Sequence, residues 1–255
     1  MYAALFSLGI MASAGIGLYL GEWIAHRLPA DHRVYEAQKA AQFGISIMAT
    51  LVALVLGFMV TSARATFDRA NDDVVAVSTS VLLLDRSLSG YGPPSAPIRT
   101  SLRAFLDRAT QRVASQGEME EAVFRLPRAS LSLLTQLQMS ILALQPGSQT
   151  EQWFQHRALE VTGELGRERI LTSEHEKVEE PTALLLMVAS WIVLIFIGMG
   201  TFATHNASVR VVQFCVALVF SGCIFLIMEL EAPYSGILRV SGEPLLLAAK
   251  ELAGI

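Results

Sequence analysis

Charge is scarce in this 255-residue chain, and its scarcity is local. Only 16% of residues are Asp, Glu, Lys or Arg, and mean hydropathy is +0.47; soluble domains carry nearer a quarter charged residues. Residues 1–21, 40–63, 181–204 and 211–228 contain none at all. A run of roughly 20 apolar residues is what a helix needs to cross a bilayer core. Cysteine is nearly absent too. Cys215 and Cys223 both fall in the fourth run; eight residues apart on one helix they stand about 12 Å apart, too far for a mutual disulfide, and they are expected to be buried thiols. No large charge excess exists either: the net charge of −4 gives no footprint for nucleic acid.

Catalytic and metal patterns are missing as well. His26, His32, His156, His175 and His205 are scattered without helical metal spacing. There is no phosphate loop, paired-Cys zinc pattern or nucleophile elbow. Asn206-Ala207-Ser208 matches a glycosylation sequon, a short pattern that arises by chance. The spans hold no ionisable groups in their interiors, which argues against a membrane enzyme or a proton-coupled transporter. No enzyme activity, cofactor or metal is expected. The first run lacks a basic leading region, so despite Ala12-Ser13-Ala14 it reads as a retained span rather than a signal peptide.

What is present is a two-plus-two plan. Span 1, a loop of 18 residues (Glu22 to Lys39) and span 2 form one hairpin; span 3, a short loop (His205 to Arg210) and span 4 form the other. Between them, residues 62–180 hold 13 of the 19 Lys+Arg and 16 of the 23 Asp+Glu, the composition of a water-exposed region. Its apolar residues recur by three and four: Val74, Val77, Val81, Leu84, Leu88; Leu102, Phe105, Ala109, Val113; Leu134, Leu137, Ile141, Leu144; Phe154, Ala158, Val161, Leu165. This spacing predicts three or four amphipathic helices, the first continuous with span 2. Breaks are expected at Gly90-Tyr91-Gly92-Pro93-Pro94, near Leu126-Pro127 and at Pro146-Gly147-Ser148, and Pro181 marks entry to span 3. The expected fold is all-α: four transmembrane helices in two hairpins with a helical extramembrane insertion. The expected divisions are 1–63, 64–180, 181–230 and a C-terminal segment 231–255.

Span 2 has the most distinctive face. Ser46, Thr50, Ala53, Gly57 and Thr61 fall within about 80° of one another at 100° per residue, with Leu54 and Phe58 beside them. Such a stripe suits close helix packing or the wall of a pore, where apolar rings form a constriction. Arg64, Asp68, Arg69, Asp72 and Asp73 follow at once; they read either as a solvated helix surface or as a charged vestibule. Acidic residues there and at Glu229 and Glu231 draw cations, and Arg64 and Arg69 oppose them. In span 1, Ser13, Gly17 and Gly21 recur every four residues, which lets another helix approach closely.

Three places resemble the bestrophin family of anion and cation channels, nearest its bacterial bestrophin-like relatives of a domain-of-unknown-function family. Leu56-Gly57-Phe58-Met59-Val60-Thr61, with Arg64 and Arg69 after it, is similar to the bestrophin pore helix. Pro181 sits where bestrophins enter the second hairpin. Glu229-Leu230-Glu231-Ala232-Pro233-Tyr234-Ser235-Gly236 resembles the family's E-L-E-D-P-F-G signature, and Gly242-Glu243-Pro244-Leu245 resembles the segment that follows it. The resemblance implies a homo-oligomer, pentameric in bestrophins, whose span 2 lines a central pore for inorganic ions. It would place Ser46, Thr50, Leu54, Gly57, Phe58 and Thr61 on the lumen, with Thr50, Leu54 and Phe58 at the constriction. It further implies a multi-pass protein of a bacterial inner membrane with the middle region and both termini in the cytoplasm, to which the loop charge tally leans. The signature turn would comprise Glu229, Glu231, Pro233, Tyr234 and Gly236. Ala232 replaces the family's Asp or Asn, Tyr234 its Phe, and the calcium-binding acidic cluster is missing after Gly236, so no calcium switch is expected. The alternative is a non-conducting membrane sensor or scaffold with a helical extramembrane bundle; no output domain is recognisable after span 4.

Overall fold

A computed structural model describes residues 2–27, 35–116, 128–175, 182–202, 207–234 and 236–253. The expected breaks at Pro127 and Pro181, the sequon at Asn206, His32, His205 and Ser235 lie outside them. The described residues form eight α-helices and no strand: α1 (Tyr2–Arg27), α2 (Tyr35–Tyr91), α3 (Ala96–Gln116), α4 (Arg128–Leu142), α5 (Gln149–His175), α6 (Thr182–Thr201), α7 (Ala207–Glu231) and α8 (Glu243–Ala253). Four of these, α1, α2, α6 and α7, contain stretches long and apolar enough to cross a membrane. Backbone groups in lipid must bond within their own segment, which helices achieve. Helix α2 is the long one: span 2 and the first amphipathic helix of the middle region are a single 57-residue element.

The chain divides into two compact units. The first comprises Met1–Thr66 and Glu179–Ala232, the second Phe67–Val178 and Pro233–Ile255. In the first, α1 packs most extensively on α6 and next on α7. Glycine makes the α1–α6 contact possible. A Cβ on Gly21 would overlap the Ile197 carbonyl oxygen and stand 2.7 Å from the Thr201 nitrogen; a Cβ on Gly200 would overlap the Leu18 carbonyl oxygen. A Cβ on Gly17 would stand 3.1 Å from Phe196 Cβ and from the Val193 carbonyl oxygen, tighter than ordinary van der Waals contact. The four-residue spacing of Gly17 and Gly21 thus serves backbone-to-backbone approach, the usual means of helix association where lipid removes the hydrophobic drive. Two buried polar side chains on α7 reach across: Ser221 Oγ donates to the Ser7 carbonyl at 2.8 Å, and Gln213 Nε2 to the Met199 carbonyl at 3.4 Å. Cys215 is exposed and Cys223 half-buried, so the expectation of two buried thiols fails at Cys215, which shares α7's outward face with Phe214, Leu218 and Val219.

The second unit has a core of interlocked side chains. Ala70, Val74, Val77, Val81, Leu84 and Leu88 of α2 meet Ile98, Leu102 and Leu106 of α3, Ile141 of α4, and Ala158, Val161 and Leu165 of α5. The α2 stripe, the α4 stripe and the α5 stripe lie as their spacing predicts. On α3 Leu102 is buried as expected, Leu106 and Thr110 are buried beside it and Phe105 is half-buried, while the side chains of Ala109 and Val113 lie outside the described residues. Helix α8 was not expected. It adds Leu245, Ala248 and Leu252 to the same core, at the i, i+3, i+7 spacing of one helical face.

The α2–α3 turn follows from Gly92, whose φ of +104° is a region that L side chains rarely adopt. Pro93 and Pro94 open a short 3₁₀ turn, and the buried Ser95 hydroxyl lies within hydrogen-bonding distance of the Leu88 and Gly92 carbonyls at the end of α2. Asp85 of α2 receives both Nε and Nη2 of Arg99 of α3 at 2.7 Å. These hydrogen bonds to Asp85 hold the Arg99 guanidinium above its ordinary pKa. At the α4–α5 turn, Ser148 Oγ accepts from the Glu151 nitrogen while Glu151 Oε2 accepts from the Gly147 nitrogen, a reciprocal helix cap close to a capping box.

Candidate functional site

The apolar half of α2 has two faces. Val52, Leu56, Met59 and Ala63 are buried in the first unit; at 100° per residue they fall within about 60° of one another. The polar stripe lies about 140° around the helix from them: Ser46, Thr50, Gly57 and Thr61 are all exposed. A Cβ on Gly57 would meet nothing within 4 Å, so among the described residues nothing packs on the stripe at that point. Each hydroxyl along it folds back one turn. Ser46 Oγ donates to the Gln42 carbonyl, Thr50 Oγ1 to the Ser46 carbonyl and Thr61 Oγ1 to the Gly57 carbonyl, each at 2.9 Å. Back-bonding of this kind keeps the hydroxyl proton satisfied where no water is at hand.

On the shoulder of the stripe stand two large side chains, Leu54 at 59% and Phe58 at 70% exposed. Thr50, Leu54 and Phe58 are each four residues apart, so they wind about 40° per step around the helix rather than stacking straight. The exposed shoulder is wider than sequence spacing suggested: Phe43, Ile47 and Leu51 share it. Their period was readable, but without a polar partner nothing distinguished them from packing residues. Arg64 and Asp68 continue the phase of the hydroxyl stripe. Arg64, in the first unit, is exposed; in the second, Asp68, Arg69 and Asp72 are exposed and Asp73 is half-buried.

Phe58 also borders a cleft of about 240 Å³ in the first unit, lined by Val55, Met59, Ser62, Leu184 and Glu231. Glu231 closes α7 and is half-buried, and Glu229 is buried at 2% exposure. The rest of the signature segment folds with the second unit. The Pro233 carbonyl accepts from the Val240 nitrogen at 2.9 Å, Tyr234 Oη donates to the Ala70 carbonyl at 3.4 Å, and the Gly236 carbonyl accepts from Arg239 Nε at 2.8 Å. Pro233 is thus the residue at which a closed loop back to Val240 begins. Among the described residues no group of three or more His, Cys, Asp or Glu could hold a metal ion.

Four membrane-crossing helices, one of which continues into an extramembrane helical core, define a multi-pass all-helical membrane protein. The chain belongs to the bestrophin-like family: the family's domain model matches residues 14–245. Two solved structures share the fold, both crystal structures of point mutants of a bacterial bestrophin homologue from Klebsiella pneumoniae. One has 15% identity and a TM-score of 0.65, covering 96% of this chain and 98% of that one. The other has 16% identity and a TM-score of 0.63, covering 96% and 99%. No curated protein sequence gives a significant match.

Proposed function

We propose that the chain is one subunit of an oligomeric ion channel, pentameric by family resemblance, in which α2 lines a central pore for small inorganic ions. The observation that carries this reading is the exposed, small and polar face of α2. The outward faces of α1, α6 and α7 present Leu8, Ile16, Leu186, Leu194, Leu218 and Val219, which suit lipid. The α2 face presents Ser46, Thr50, Gly57 and Thr61 beside its apolar shoulder. A single chain has no room for an ion path along α1 and α6, whose backbones touch at Gly21 and Gly200. In this reading the conduit is formed by several copies of α2 around an axis. Leu54 and Phe58 would form its neck, a ring of apolar side chains that gates by dewetting. Arg64, Asp68, Arg69, Asp72 and Asp73 would form a charged vestibule, cytoplasmic if the middle region lies there.

The test is conductance. In planar bilayers containing the purified protein, Leu54→Ala and Phe58→Ala are expected to raise unitary conductance by about two-fold or more, because each removes bulk from a dewetting constriction. Unchanged conductance in both variants of a conducting channel overturns the neck assignment. Absence of any current from the reconstituted native protein favours the sensor or scaffold reading.

A further inference from the structure

The exposed face of α1 carries a feature that the pore does not use. Tyr19, Trp23 and Arg27 are four residues apart and share one outward face; Tyr19 is 70% and Trp23 49% exposed, and Arg27 is exposed. The Arg27 guanidinium lies over the Trp23 indole, its carbon 4.4 Å from the ring centroid. A guanidinium placed over an indole keeps N–H groups at its edge for an acceptor. Among the described residues Arg27 has no carboxylate partner, and Glu22 points about 140° away around the helix. His26 is the other basic group of this last turn; its Nδ1 lies 2.7 Å from the Glu22 carbonyl. Arg27 thus adds a cation at the end of a membrane span, where aromatic rings sit at headgroup level.

Toward the bilayer interior the same face is shallow. Gly9 and Ala12 are exposed between Leu5, Leu8 and Ile16, and a Cβ on Gly9 would meet nothing within 4 Å. The ten residues from Gly9 to Tyr19 rise about 15 Å, half the hydrocarbon thickness of a bilayer. We propose that this face of α1 binds an anionic phospholipid, with the phosphate on the Arg27 N–H edge, the glycerol region against Trp23 and Tyr19, and an acyl chain in the trough at Gly9 and Ala12. Charge selects the lipid: a cation at headgroup depth that no carboxylate of the described residues faces favours an anionic over a zwitterionic headgroup.

The full chain in a nonionic detergent tests this with phosphatidylglycerol, phosphatidylcholine of matched chains, or inorganic phosphate. Native mass spectrometry is expected to find phosphatidylglycerol retained about five-fold over phosphatidylcholine, the preference that one basic residue near a membrane surface provides. Arg27→Gln brings that ratio to about one while leaving the thermal unfolding of the lipid-free protein unchanged, since Arg27 is exposed. Gly9→Leu lowers retention of both lipids and leaves their ratio intact. A native ratio near one, a ratio unaltered by Arg27→Gln, or an equal thermal shift from inorganic phosphate overturns the proposal. So does a change of oligomer size in Arg27→Gln, which would make a second copy the occupant.

Discussion

In the first unit α1 and α6 touch through Gly21 and Gly200, backbone against backbone. In the second, Leu84, Leu88, Leu102 and Leu106 hold α2 and α3 apart and fill the space between. The two arrangements answer different solvents. In water, burying a leucine releases roughly 2 kcal/mol of transfer free energy, so large side chains are stabilised inside. In lipid that gain vanishes, because a leucine is as comfortable against an acyl chain as against another helix. What remains is close contact, and small residues maximise it.

This contrast can be broken at three places. The largest effect is expected at Gly21→Ala. One methyl group there overlaps the Ile197 carbonyl oxygen, and neither backbone can yield without separating the helices. Size-exclusion chromatography in detergent is expected to lose the monodisperse species altogether; a normal profile would mean that the α1–α6 contact is looser than described. Next comes Leu84→Ala, which empties part of the second unit's core where Leu84 is 1% exposed. Denaturant unfolding is expected to show a loss of about 2–5 kcal/mol with the protein still folded. A loss below about 1 kcal/mol would show that this core is not packed in the same way as an aqueous interior. Smallest is Gly90→Ala. It also creates an overlap, but with the Phe154 ring, the end of a side chain that can swing. The alanine adds about 1 kcal/mol of helix propensity in return. Thermal unfolding is expected to move by no more than the equivalent of about 1 kcal/mol in either direction; a collapse like that of Gly21→Ala would show that Phe154 is as immovable as backbone.

The sequence made one side of this contrast easier to read than the other. Apolar runs and three-four spacing revealed the spans, the continuity of α2 and most of the second core, because burial in a helix leaves a periodic trace. The Gly92 turn was legible from Gly and Pro alone. Helix α3 misled because Phe105 is the larger side chain, yet Leu106 is the one that packs. Helix α8 hid beside a family signature: Pro244 in its first turn, Glu243 at its start and Lys250 near its end are ordinary helix signals, but in the sequence Gly242 to Leu245 stands out only for its resemblance to the segment after that signature. Of the candidate site, the stripe Ser46 to Thr61 was visible from spacing. Which side of it faced outward was not, since Gly and Ser occur both in tight contacts and on open walls. Gly21 and Gly57 look alike in sequence, and only the neighbouring helix separates them.

The folded-back hydroxyls on α2 have a consequence for whatever meets that face. Ser46, Thr50 and Thr61 each have a single proton, and each gives it to its own helix. What they turn outward is lone pairs. This face of α2 is therefore a row of acceptors, one that water would approach hydrogens first. A stripe drawn from uncharged residues in this way imposes a polarity of its own, with no carboxylate required.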